Sequence, residues 1–82
     1  MARVSSFEEI TAPRNQVHRT EVRCGYTTIE SEGKRYLQLE TYGSDERQIP
    51  GKVSQTLQID AGAAAELLRL IGKTFPEIKQ AR

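Results

Sequence analysis

The chain has 82 residues, with twelve Lys and Arg against eleven Asp and Glu and a net charge of +1. That length holds one small domain and excludes the large enzyme folds, while the charge balance excludes a strongly basic nucleic-acid tail or an acidic solvating tail. Leu, Ile, Val and Phe together number eighteen, a thin supply for a chain that buries little of its surface, so the missing burial is expected at a two-fold interface.

Residues 1–16 are weakly patterned and read as a flexible N-terminal arm, leaving residues 17–82 as a single domain. Ser5 or Ser6 followed by Glu8 or Glu9 matches a capping box, which leaves room for a short helical turn before Pro13. The segment from Met1 to Glu9 has no apolar stretch of signal-peptide type, and no apolar run approaches the ~20 residues that cross a bilayer. The single Cys24 has no internal partner and fits a reducing compartment, so a cytoplasmic protein without membrane association is expected.

From Val17 the period changes to two. Arg19, Glu21 and Arg23 alternate with Thr20, Val22 and Cys24, as in a half-buried strand. Continued past Gly25, that parity would turn Ile29 outward, and a bulge at Gly25 would instead bring Thr27 and Ile29 inward. Glu30 to Lys34 reads as a hairpin turn with Gly33 supplying a positive φ. The next strand, from Arg35 to Tyr42, sets Leu37, Leu39 and Thr41 against Tyr36, Gln38, Glu40 and Tyr42. A polar loop from Gly43 ends at Pro50-Gly51. Val53, Leu57 and Ile59 then alternate with Ser54, Thr56 and Gln58 in a last strand, with Gln55 a polar exception in its apolar row.

At Asp60, a good N-cap, the period switches to 3.6. Ala64, Leu67, Leu68, Ile71 and Phe75 form one apolar stripe, Leu70 widens it towards a helix contact across a dimer, and Pro76 ends the helix. The small run Ala61 to Ala65 predicts close contact with the chain's own sheet or with a second subunit. The order predicts an α+β fold, an antiparallel sheet of three to four strands followed by one C-terminal helix.

Under the bulged parity, Tyr26, Tyr36 and Tyr42 share the face away from the core. Thr28, Gln38, Ser54, Thr56 and Gln58 lie there too, with Arg19, Arg23 and Lys52 within reach. Aromatic rings that stack bases and cations that follow phosphates are what a single-stranded DNA or RNA surface needs. The candidate binding residues are Arg19, Arg23, Tyr26, Tyr36, Gln38, Tyr42, Lys52 and Thr56. Tyrosine, serine, threonine and glutamine are also common on solvated strands, and Glu21 and Glu40 oppose phosphate, so a protein partner or a dimer partner covering the same face is the competing reading.

The alternating strand Leu37-Gln38-Leu39-Glu40-Thr41-Tyr42, the junction Pro50-Gly51-Lys52, and Leu57-Gln58-Ile59-Asp60 leading into Leu67, Leu68 and Ile71 resemble one family in order and spacing. It is the single-stranded-DNA-binding transcriptional coactivator family typified by positive cofactor four, with its small bacterial relatives, and the resemblance covers roughly residues 17–75. It implies a curved sheet, a homodimer in which helices and sheet edges meet, and non-specific binding of single strands or melted duplex without a cofactor. By position, Tyr42 matches an aromatic of the family's second long strand and Lys52 a basic residue of its junction. Glu40 and Gly43 stand where relatives carry arginine and tryptophan, the last strand is about two residues longer, and the family's basic, serine-rich extension is missing.

Catalytic and metal chemistry find little to work with. His18 and Cys24 lie six residues apart, about 20 Å along a strand, with no further ligands beside them. Asp45 and Glu46 beside Arg47 read as a solvated turn, and no glycine-rich phosphate loop precedes the helix. A binding protein rather than an enzyme is expected.

Overall fold

A computed structural model describes residues 1–11, 16–43 and 53–78. Four strands, β1 (Ala2–Val4), β2 (Cys24–Ser31), β3 (Lys34–Tyr42) and β4 (Val53–Ile59), precede one helix, α1 (Ala61–Thr74). The fold is therefore α+β, a sheet followed by a single C-terminal helix, as the hydrophobic periods predict. Its strand order is β1-β4-β3-β2. The sheet is mixed rather than wholly antiparallel: β2, β3 and β4 pair antiparallel, and β1 lies parallel to β4.

β1 occupies part of the segment read as a flexible arm, and residues 5–11 carry no helix. Three residues suffice because Ala2-Arg3-Val4 alternates like the strand it joins. Ala2 pairs with Leu57, Arg3 with Gln58 and Val4 with Ile59. Beyond β1, Phe7, Glu8 and Glu9 line a cleft of about 350 Å³ with Glu66, Arg69, Leu70, Lys73 and Thr74 of the helix. Leu70 and Phe7 thus share one cleft, which gives Leu70 an apolar neighbour within its own chain.

The first long strand begins later than its pattern suggests. β2 pairs with β3 alone, and β3 ends at Tyr42, one step past the register partner of Cys24. Residues 16–23 pair with no strand among the described residues and lie exposed outside the sheet, despite their alternation. The expected bulge at Gly25 is also absent, because pairing runs unbroken from Cys24↔Thr41 to Ser31↔Lys34. The register shift lies between Thr41 and Tyr42, opposite the skipped Ser54.

The hairpin joining β2 and β3 has two central residues, Glu32 and Gly33, with φ of 52° and 76°. Both are left-handed, as a type I′ turn matched to strand twist requires. Asp60 caps α1 as its sequence position predicts, its carboxylate accepting from the Ala63 N–H at 2.8 Å. At the other end the Phe75 N–H donates to the Ile71 carbonyl, and Lys73 lies in the last turn, where a cation meets the negative end of the helix dipole.

Cross-strand partners point to one face of a sheet, and the register sorts the side chains accordingly. One face carries Ala2, Val4, Tyr26, Thr28, Leu37, Leu39, Leu57 and Ile59 as an apolar middle, with Glu30 and Arg35 towards one end and Cys24, Thr41 and Gln55 towards the other. The other carries Arg3, Gly25, Thr27, Ile29, Tyr36, Gln38, Glu40, Tyr42, Thr56 and Gln58 and is polar. Ile59 and Ala63, at 4% and 3% exposure, are the buried hydrophobic residues among those described, one on each side of the strand-to-helix junction. On the apolar face Leu37 and Leu57 remain 38% and 43% exposed. Tyr26 on the same face is 79% exposed, so apolar side chains there lie uncovered.

Candidate functional site

The polar face is built along β3. Tyr36 stands near its start and Tyr42 at its end, both half-buried, and six residues of strand separate them by about 20 Å. Each ring carries an arginine. The Arg3 guanidinium lies 6.0 Å from the Tyr36 centroid and that of Arg23 lies 5.7 Å from the Tyr42 centroid, within the range of a cation–π contact.

Different elements deliver the two arginines. Arg23 directly precedes β2, and continuing that strand's register one step places it opposite Tyr42. Arg3 comes from β1 at the far edge of the sheet and reaches across the end of β4, where Ile59 gives way to the capping Asp60. Long arginine stems lie along such surfaces while their charged ends stay in water.

Between the two pairs runs a chain of side-chain hydrogen bonds. The Gln58 Nε2 donates to the Gln38 Oε1 at 2.8 Å, and the Gln38 Nε2 donates to the Glu40 Oε1 at 2.7 Å. These bonds fix both amides and occupy one oxygen of the carboxylate. Thr56, the register partner of Glu40, adds a hydroxyl beside them. Glu40 is the one carboxylate on the strands of this face, against Arg3 and the hairpin's Lys34, with Arg23 at its margin.

Gly25 seats the second tyrosine. A Cβ built on it would come within 2.6 Å of the Tyr42 Oη and 3.3 Å of Cε2 and Cζ. The Tyr42 ring therefore leans over Gly25, diagonally across the β2–β3 pair, in space that any other residue would fill. A shallow recess of about 180 Å³ beside it is lined by Gly25, Tyr26, Thr27, Gln38, Glu40 and Tyr42.

Several of the sequence-based candidates come together here: Arg23, Tyr36, Gln38, Tyr42 and Thr56 all belong to the polar face. Tyr26 does not. With no bulge at Gly25 it pairs with Leu39 on the apolar face, 79% exposed, and Thr28 goes with it, while Thr27 and Ile29 take their places on the polar side. Arg19 is exposed outside the sheet, and Lys52 with its Pro50-Gly51 junction lies outside the described residues, as do Asp45, Glu46 and Arg47. Arg3 and the seating role of Gly25 escaped the sequence patterns. Ala2-Arg3-Val4 alternates too briefly to mark a strand, though small and apolar residues flanking an arginine are its trace.

His18, whose Nδ1 accepts from the Thr20 N–H at 3.1 Å, lines an open pocket of about 490 Å³ with Thr20, Val22, Thr41, Ser54 and Gln55, among others. No group of three or more metal-ligating side chains occurs among the described residues, and no described helix is long and apolar enough to cross a membrane. In comparison with known proteins, the chain matches no family model, no curated protein and no solved structure.

Proposed function

We propose that this protein is a homodimer that binds single-stranded nucleic acid through its polar sheet face, without sequence preference, and acts in transcription or DNA maintenance. The observation that carries the proposal is the pairing of an arginine with a tyrosine at each end of β3, on one face and about 20 Å apart. Aromatic rings and guanidinium planes both stack on bases, and the arginine charge neutralises phosphate. The resemblance of strand, junction and helix to the single-stranded-DNA-binding coactivator family supports the same function.

A second copy of the chain covers the apolar face in this proposal. Leu37, Leu57, Tyr26 and the exposed Leu68 of α1 are apolar groups that such an interface would use.

Fluorescence anisotropy with a labelled oligothymidylate at two salt concentrations tests the binding. Two phosphate contacts on a single strand predict about a sevenfold loss of affinity between 50 and 200 mM salt. Absence of binding at the lower salt contradicts the proposal. One observation favours a different class of partner. Glu40 lies mid-face, where phosphate would be repelled, and a basic protein segment would accept it; saturable binding of such a peptide with no binding of the oligonucleotide is the result that selects a protein-interaction module.

A further inference from the structure

The N-terminal strand gives the polar face an arginine that no strand of the hairpin or of β4 supplies. Pairing of Ala2 with Leu57 and of Val4 with Ile59 turns both small side chains to the apolar face and Arg3 to the polar one. There its guanidinium lies over Tyr36, as that of Arg23 lies over Tyr42. The two ends of β3 thus carry the same chemical unit, an exposed arginine on a half-buried tyrosine, although the arginines come from segments twenty residues apart in the chain.

We infer that Arg3 is a phosphate-binding residue, and that β1 completes a two-station site in which Arg3 with Tyr36 and Arg23 with Tyr42 hold one single strand. This rests on the proposed nucleic-acid binding and specifies its geometry. A single strand long enough to span the separation of about 20 Å engages both stations. The Gln58–Gln38–Glu40 chain between them leaves the middle of the face without a cation of its own. Charge attraction is therefore concentrated at the two ends, with Arg3 and Lys34 towards one and Arg23 at the other.

Arg3→Gln, Arg3→Lys and Arg23→Gln, in the full chain, are titrated against an oligothymidylate of roughly twelve nucleotides, long enough to pass both stations even at the duplex rise of about 3.4 Å per nucleotide. Arg3→Gln is expected to reduce the slope of log affinity against log salt by about 0.7, with a matching loss at low salt, and Arg23→Gln to do the same. Arg3→Lys keeps the charge and is expected to keep the slope while binding more weakly, because lysine loses the planar stack. Arg3→Gln with wild-type affinity and slope, while Arg23→Gln binds more weakly, overturns the role of Arg3 and leaves the nucleic-acid function standing. Weakened binding with an unchanged slope in Arg3→Gln, or a slope in Arg3→Lys reduced as far as in Arg3→Gln, shows a packing role and also overturns it. Failure of the wild-type chain to bind at low salt removes both.

Discussion

Replacing Gly25 with alanine tests how the polar face is assembled. The backbone at Gly25 carries no left-handed φ, so the perturbation is purely the added methyl group. That carbon would stand 2.6 Å from the Tyr42 Oη and 3.3 Å from two ring carbons, which forces the ring to swing off its seat. Overpacking of this kind costs about 1–3 kcal/mol. Loss of glycine's freedom in the unfolded chain offsets about 0.4–1 kcal/mol of it. A net loss near 1 kcal/mol lowers the melting temperature by roughly 4–8 °C in a domain of this size. Because Arg23 rests on the same ring, the displaced tyrosine takes one station of the face with it, and affinity for single-stranded oligonucleotide falls as well. Thermal unfolding followed by circular dichroism measures the first effect and anisotropy the second. Tyr42→Phe removes the closest clashing atom, so the double variant Gly25→Ala/Tyr42→Phe is expected to recover at least half of the stability lost, relative to Tyr42→Phe alone. A Gly25→Ala variant more stable than wild type, or a double variant showing no relief, would refute the seating of Tyr42 over Gly25.

Other consequences are simpler to read. Asp60→Ala removes the N-cap of α1 and is expected to cost about 1 kcal/mol, seen as a lower urea midpoint at unchanged slope. Gly33→Ala forces alanine into a φ of 76° and is expected to destabilise the hairpin by about 1 kcal/mol, whereas Glu32→Asn suits its own left-handed position and is expected to raise the melting temperature. Leu57→Glu sets a charge in the apolar face and is expected to convert a dimer into a monomer in sedimentation equilibrium. A wild-type chain that stays monomeric at micromolar concentration contradicts the second copy proposed for that face.

Much of the architecture was legible because it depends on local signals. The 3.6-residue stripe after Asp60 marks α1, the alternation from Leu37 to Tyr42 marks β3, and Gly33 marks the hairpin. Facial assignments were harder, since one register step moves every side chain of a strand to the other side. Tyr26 and Ile29 show this directly. The parity of the sequence calls for a bulge at Gly25 to bring Ile29 into the core, yet Ile29 lies half-buried on the polar face as the register partner of Tyr36, and Tyr42 occupies the space that a side chain at Gly25 would fill. The alternation from Val17 to Arg23 is genuine in sequence but meets no partner strand among the described residues, since β3 ends at Tyr42. Arg3 stayed hidden because three residues carry no readable period and only the pairing with β4 gives them one.

The central proposal assigns nucleic-acid binding to one face, and the tyrosines divide between the faces. Tyr36→Ala and Tyr42→Ala are each expected to weaken oligothymidylate binding by about 1–3 kcal/mol, roughly five- to 150-fold, as lost base stacking requires. Tyr26→Ala, on the opposite face and compared at a concentration where sedimentation shows it dimeric, is expected to leave the affinity per subunit and its salt dependence within about twofold of wild type, below the roughly fivefold loss that 1 kcal/mol represents. Equal loss from all three variants, or loss from Tyr26→Ala alone, would contradict the assignment of binding to the polar face.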